Sequence, residues 1–141
     1  MIEKPKLTER DLLEKFTIFN HQYFGNELPT PRFKVINNLK NVGFFSCLVD
    51  KRGNIDKPLI EISGSFHLTN YQLRRVMVHE MIHYYLAYKG IDCDLTHGDA
   101  FMKMAEDFNS RYGIGVEDVS LESDFVKRGD TKKRGFFGWF R

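Results

Sequence analysis

The chain has 141 residues, which is enough for one domain with a substantial core but not comfortably for two. It is 42% hydrophobic and 28% charged with a formal net charge of +2, a balance that is ordinary for a globular protein and too weakly basic to indicate nucleic-acid binding by itself. The first residues lack the apolar segment of a secretory signal, and no apolar run approaches the roughly 20 residues that cross a bilayer, so we expect a cytoplasmic protein.

The first helix is predicted over residues 8–23. Thr8 is a suitable N-cap, and acidic residues follow it in the first turn, where the helix dipole favours negative charge. Apolar side chains recur at helical spacing after it. They are Leu12, Phe16, Phe19 and Tyr23. Gly25 and Asn26 then end the helix.

Three strands are predicted next, over residues 32–36, 43–49 and 58–63. The polar, turn-like segments 37–41 and 50–54 separate them. Because short loops join strands that run in opposite directions, this arrangement predicts an antiparallel meander.

The second helix is predicted from Thr69 or Asn70 to about Lys89, with Gly90 ending it. Its apolar residues are spread around the whole circumference, so we expect it to be buried on most sides. A third helix is predicted over residues 99–112, after a loop.

The sequence predicts a domain over residues 1–123 and a tail over residues 124–141. Within the tail, segment 127–141 has several cations followed by three phenylalanines and a tryptophan. Such a segment suits a DNA contact, with charges for phosphates and rings for bases, or an amphipathic contact with a membrane or a partner protein. A flexible tail, or one whose aromatic residues pack back onto the domain, is the plainer interpretation.

The two cysteines, Cys47 and Cys93, are isolated in the sequence. Neither belongs to a C-x-x-C pair, which excludes the usual zinc-finger and zinc-ribbon spacings as well as a disulfide framework. A single bridge between them stays open, although two isolated thiols are more often reduced and buried.

The second helix contains His79-Glu80-Met81-Ile82-His83, an H-E-x-x-H pattern. Histidines four residues apart lie on one face of a helix, so both imidazoles can reach one metal ion at the usual zinc–nitrogen distance of about 2.0–2.1 Å. Glu80 would then lie beside the open position of the metal, where it can take a proton from a bound water. Polar groups inside an otherwise apolar, buried helix need a partner, because their burial without one costs free energy, and one metal ion can serve both histidines.

A catalytic zinc ion takes three protein ligands, so a third must come from elsewhere. His97 is favoured, because it follows a loop that can fold back and it begins a helix. Glu106 is the rival, although a solvated helix face explains that residue adequately. His21 and His67 have no motif around them.

The combined pattern resembles the SprT-like metalloproteases over roughly residues 8–115. Besides the H-E-x-x-H motif, the resemblance includes His97-Gly98-x-x-Phe101, Phe19-Asn20, Tyr23-Phe24, Leu28 and Gly43-Phe44. It implies an α+β, zincin-like single domain with a small antiparallel sheet and about three helices, the H-E-x-x-H motif lying on the central one. It also implies one zinc ion bound by His79, His83 and His97, with Glu80 as the general base.

The function that the resemblance implies is zinc-dependent hydrolysis of peptide bonds in a protein or peptide substrate, extending to DNA-associated or DNA-crosslinked proteins. The alternative is a zinc-containing module that binds DNA or protein with little or no proteolytic activity. Substitution of Glu80 would separate the two, because only an enzyme needs the base.

Supporting roles are less strongly defined by the sequence. Tyr84, Tyr85, Arg111 and Tyr112 are candidates to stabilise an oxyanion. The strand near residues 59–63 is a candidate to hold an extended peptide by strand addition. Asp94 or Asp99 could orient a zinc-binding histidine.

Overall fold

Three helices and a small three-stranded sheet give an α+β, zincin-like fold in a computed structural model that describes residues 6–116 and 126–128. The helices are α1 (Glu9–Phe24), α2 (Asn70–Tyr88) and α3 (Asp99–Tyr112). The sheet is formed by β1 (Arg32–Ile36), β2 (Gly43–Val49) and β3 (Ile55–Ser63). A second, two-stranded sheet pairs β4 (Phe66–His67) with β5 (Val126–Lys127).

The two longer helices begin at capping boxes. The Thr8 hydroxyl accepts from the Asp11 backbone N–H, and the Asp11 side chain accepts from the N–H of Thr8. Thr69 and Gln72 make the same reciprocal pair at the start of α2, so Thr69 is the N-cap and Asn70 the first helical residue. Each box satisfies backbone donors that the first turn of a helix leaves without partners.

The sheet is mixed, so the predicted wholly antiparallel meander is wrong. The strand order is β1-β3-β2, with β2 antiparallel and β1 parallel to β3. The link between β1 and β2 does not fold as a hairpin but passes across the end of β3. There the Ser63 hydroxyl donates to the carbonyl of Asn38, and the Ser63 backbone N–H donates to the carbonyl of Val42. Strand β3 therefore lies between its two predecessors and is the centre of the sheet.

The residues that the sequence analysis assigns to the tail are described only in part. Val126 and Lys127 pair with β4, and the backbone and Nε of Arg128 donate to the carbonyls of Ser65 and Gly64. Residues 129–141 lie outside the described part of the chain, and so do the aromatic side chains of the predicted DNA, membrane or partner contact. That contact stays a prediction.

Helix α2 is the centre of the core, as its all-round apolar pattern predicts. It packs against the sheet and both other helices, and most of its side chains are buried. Cys47 on β2 and Cys93 after α2 are free thiols, each partly buried. Within residues 6–116 and 126–128, no helix combines the length and the apolar character that crossing a membrane requires.

Candidate metal centre

Three histidines from two elements meet at one point beside α2. His79 and His83 lie one turn apart on α2, with ring centroids 5.1 Å apart. His97, just before α3, places its ring centroid 5.1 Å from that of His79 and 4.9 Å from that of His83. One nitrogen of each ring lies within 4.8 Å of those of the other two. The structure thus brings together the three histidines that the sequence and its resemblance select.

The spacing of the ring nitrogens suits a single metal ion. The Nε2 atoms of His79 and His97 are 3.2 Å apart. Two ligands of a tetrahedral zinc ion, each at about 2.0–2.1 Å, lie about 3.3–3.4 Å from one another. Neutral imidazole is a ligand that suits zinc and several other transition metals. The group is therefore able to bind a metal ion, and its donor set fits zinc.

Phe101 on α3 packs against all three histidine rings. Its ring centroid is 4.8 Å from that of His79, 4.6 Å from that of His83 and 4.9 Å from that of His97. The side chain is fully buried. The sequence places Phe101 in a motif and on the apolar face of α3, and no signal in it indicates a common support for the three rings.

Burial differs among the three histidines. His79 and His83 are buried, whereas His97 is exposed. Burial lowers the pKa of His83 to about 4; the charge of a protonated His97 lowers it too, and the carboxylate of Asp92 opposes both. The Nδ1 atom of His83 is buried without a hydrogen-bond partner in the described part of the chain. His83 is therefore neutral at physiological pH, as a metal ligand must be.

Glu80 lies next to His79 on α2 and is only 2% exposed. Its Oε2 is 4.0 Å from Nε2 of His79. Desolvation raises the pKa of this carboxyl to about 8. Gly43, at the start of β2, leaves room for the group, since a Cβ atom added there would lie 3.2 Å from Oε2 of Glu80. A carboxyl held in this way beside a histidine cluster can exchange a proton near neutral pH.

The predicted oxyanion candidates have other partners in the structure. The Tyr84 hydroxyl donates to the Pro29 carbonyl at 2.7 Å, and burial raises its pKa to about 12. Tyr85 packs against Phe24. The remaining two have their contacts on α3 and α1: Arg111 pairs with Asp107, and Tyr112 packs on Tyr23 and Phe108.

Asp92 is the aspartate whose charge raises the pKa of His83, whereas the orienting residues that the sequence suggests, Asp94 and Asp99, are both exposed. Asp92 accepts hydrogen bonds from the backbone of Asp94 and from Thr96. An aspartate whose side chain bonds to the backbone two residues on is typical of a turn, and that signal could have identified it. Glu106, the rival ligand, lies exposed on α3 and outside the histidine group.

The predicted peptide-binding strand is wrong. Strand β3 is paired on both sides, by β1 and β2, so it has no free edge to offer a peptide. Strand β2 is at the edge of the sheet and packs against α2. The pattern of apolar residues could not distinguish these cases, because it does not reveal the order of strands in a sheet.

The fold and the histidine group agree with the comparison of the sequence with known families. A sequence model of the SprT-like family matches residues 12–121, most of the chain, and the protein belongs to that family. A search of curated proteins found no significant match. The SprT-like fold and a histidine group able to bind a metal are together consistent with a metallopeptidase-like role.

Proposed function

We propose that the protein is a zinc-dependent peptidase with His79, His83 and His97 as the metal ligands and Glu80 as the general base. The observation that carries the proposal is the pairing of two features at one place. Three imidazole nitrogens lie within 4.8 Å of one another, and a carboxyl that is almost wholly buried lies 4.0 Å from one of them. A structural zinc site would want a fourth protein ligand and no free acid.

Zinc bound by these histidines would lower the pKa of water and polarise the carbonyl of the scissile peptide. Glu80 supplies the acid–base chemistry. Its carboxylate takes a proton from the attacking water at Oε2 and gives that proton to the leaving amine. A cation beside Glu80 favours the carboxylate form, which offsets the desolvation that raises its pKa in the metal-free protein.

The open edge of β2 is the proposed support for an extended substrate. Residues 43–49 leave one side of their backbone without a partner strand in the described part of the chain. Gly43 begins this strand directly beside Glu80. A peptide added along β2 would form main-chain hydrogen bonds and would place its carbonyl groups near the base.

The decisive variant is Glu80→Gln, which keeps the shape of the side chain but cannot take a proton. We expect about one zinc per chain in both proteins and a fall in peptide cleavage of about 100-fold or more in the variant. Glu106→Gln is the matched control, since Glu106 is exposed on α3, and we expect it to cleave at the wild-type rate. Zinc content by mass spectrometry and cleavage of unfolded protein substrates are the measurements.

The same experiment tests the alternative of a zinc-containing binding module. Each protein is assayed with and without single-stranded DNA, because the resemblance extends to DNA-associated substrates. Wild-type protein that carries zinc and cleaves nothing under either condition would favour the binding module. Cleavage that Glu80→Gln leaves unchanged would contradict the proposed role of Glu80.

A further inference from the structure

The loop between α2 and α3, residues 89–98, is fixed to the end of α2. The backbone N–H groups of Ile91 and Asp92 both donate to the carbonyl of Leu86, at 2.8 and 3.1 Å. Leu86 lies one turn beyond His83 on the same helix. The backbone of Asp92 therefore has a defined position relative to the two helical histidines.

The carboxylate of Asp92 binds the loop a second time, just before His97. Its Oδ1 accepts from the N–H of Asp94 at 2.9 Å. Its Oδ2 accepts from the N–H and the hydroxyl of Thr96, at 3.1 and 2.7 Å. Hydrogen bonds to a charged acceptor are stronger than neutral ones. Asp92 thus connects the end of α2 to the residue that immediately precedes His97.

The loop needs such a connection, because its backbone is strained and its histidine is exposed. Leu95 has φ of 57°, in the left-handed region that a side chain with a Cβ atom disfavours. His97 is exposed, unlike the two histidines of α2, so burial does not fix its place. Without the Asp92 bonds the loop could relax the strain at Leu95 and carry His97 away from the cluster.

We propose that Asp92 is a positioning residue that, through Thr96, fixes His97 in the place where it completes the histidine group. The inference rests on the proposed function, because it assigns Asp92 to the metal site. Asp92 is not one of the proposed ligands, and its hydrogen bonds to Thr96 are the route by which it holds His97. Holding the third ligand in place before the metal arrives removes part of the ordering cost of binding, and this raises affinity.

The test compares two neighbouring aspartates. Asp92→Asn keeps the shape of the side chain but replaces one accepting oxygen with an NH2 donor, so its two ends can no longer both accept from the backbone N–H groups of Asp94 and Thr96. Asp94→Asn is the matched control, because Asp94 is exposed and contributes its backbone N–H to the arrangement. Zinc affinity is measured on the full chain by competition with a chromophoric chelator. We expect affinity to fall about 10- to 100-fold in Asp92→Asn and to change less than about twofold in Asp94→Asn.

A second pair of variants keeps the inference testable if Asp92→Asn does not fold. Thr96→Ser retains the hydroxyl that donates to Asp92, and Thr96→Val removes it. We expect wild-type zinc affinity for the serine variant and an affinity lowered several-fold for the valine variant. Thermal unfolding of each metal-free variant shows how much stability the substitution removes on its own.

The outcomes separate this inference from the proposed function. Asp92→Asn that binds zinc as tightly as the wild type would overturn the inference and leave the peptidase proposal in place. The same holds if a lower unfolding temperature of metal-free Asp92→Asn is its only change, or if both Thr96 variants bind zinc equally. Wild-type protein that binds no zinc would instead overturn the proposed function, and the inference with it.

Discussion

Glu80 is a carboxyl group that the fold holds almost entirely away from water. Its pKa of about 8 in the metal-free protein lies above the ordinary value of 4.5. Folded protein therefore binds more protons than unfolded protein between these values, and stability falls as pH rises through them. His83 works in the opposite direction, because its pKa is lowered from 6.5 to about 4 and stability falls as pH drops through that range.

These two groups predict the pH dependence of metal-free protein. Between pH 6.5 and 8 only Glu80 of the pair still titrates, so stability should fall there by about 1–2 kcal/mol, at roughly 1.4 kcal/mol per pH unit for one proton. The side chain of Gln in Glu80→Gln does not titrate, so this fall in stability should be absent from the variant. Urea unfolding of chelator-treated protein at several pH values measures the difference. A slope that is the same in the wild type and the variant would contradict the burial of Glu80 as an ionisable group.

Phe101 is the residue whose ring lies against the three histidine rings. Phe101→Ala should destabilise the protein by about 3–5 kcal/mol, as truncation of a buried phenylalanine usually does, and should also weaken zinc binding. Phe108→Ala is the matched control, because Phe108 is equally part of α3 but packs on Phe24 and Tyr112. Urea unfolding and chelator competition are the measurements. Equal zinc affinity in the two variants would show that Phe101 is only a core residue.

At the scale of the elements, the contact of β2 with α2 determines where Glu80 can lie. A Cβ atom at Gly43 would be 2.9 Å from Val76 Cγ1 and 3.2 Å from Glu80 Oε2. One at Gly64 would be 2.8 Å from Val35 Cγ1, and Glu80 is not among its contacts. The nearest contact is of similar length at the two positions, but a Cβ atom at Gly43 would also crowd Ile62 and Glu80.

Alanine variants of these two glycines should lose similar amounts of stability but differ in catalytic activity. Gly43→Ala and Gly64→Ala should each cost about 1–3 kcal/mol, the usual effect of overpacking. Only Gly43→Ala should lower the rate constant of peptide cleavage by about tenfold or more, because it moves the base. Thermal unfolding and saturating-substrate kinetics make the comparison. Equal rates in the two variants would mean that the strand does not position Glu80.

Elements whose boundaries depend on local chemistry could be predicted from the sequence. Thr8 and Thr69 begin helices because their side chains bind nearby backbone groups, and such signals are visible over four residues. The order of the strands could not be predicted in this way. It is formed by the pairing of β3 with both other strands and by contacts such as those of Ser63 with Asn38 and Val42, which are distant in the chain.

The same distinction applies to the metal centre. The spacing of His79 and His83 follows from the geometry of one helix, and motif context indicated His97. Nothing local indicated that Phe101 supports all three rings, because that depends on how α2 and α3 pack. The bonds of Asp92 are local, since they reach residues two and four positions on, and a turn signal could have indicated them. The position of β2 beside Glu80 depends on the order of the strands in the sheet, so it could not be predicted from the sequence either.

In the molecule as a whole, two consecutive segments, α2 and the loop that follows it, must come together to make the site. The long helix α2 supplies a buried pair of histidines with the base, and the loop just before α3 adds an exposed histidine. Family membership and fold are consistent with a metallopeptidase-like role, and the proposed zinc chemistry depends on the completed group.

Zinc stoichiometry and affinity in His97→Ala show whether these three histidines form one metal site. We predict one zinc per wild-type chain and an affinity about 100-fold lower or more in His97→Ala, because the site then keeps two protein ligands. Glu106→Ala, which removes the rival ligand, should bind zinc like the wild type. Unchanged zinc affinity in His97→Ala, or a loss of affinity in Glu106→Ala instead, would mean that His97 is not the third metal ligand.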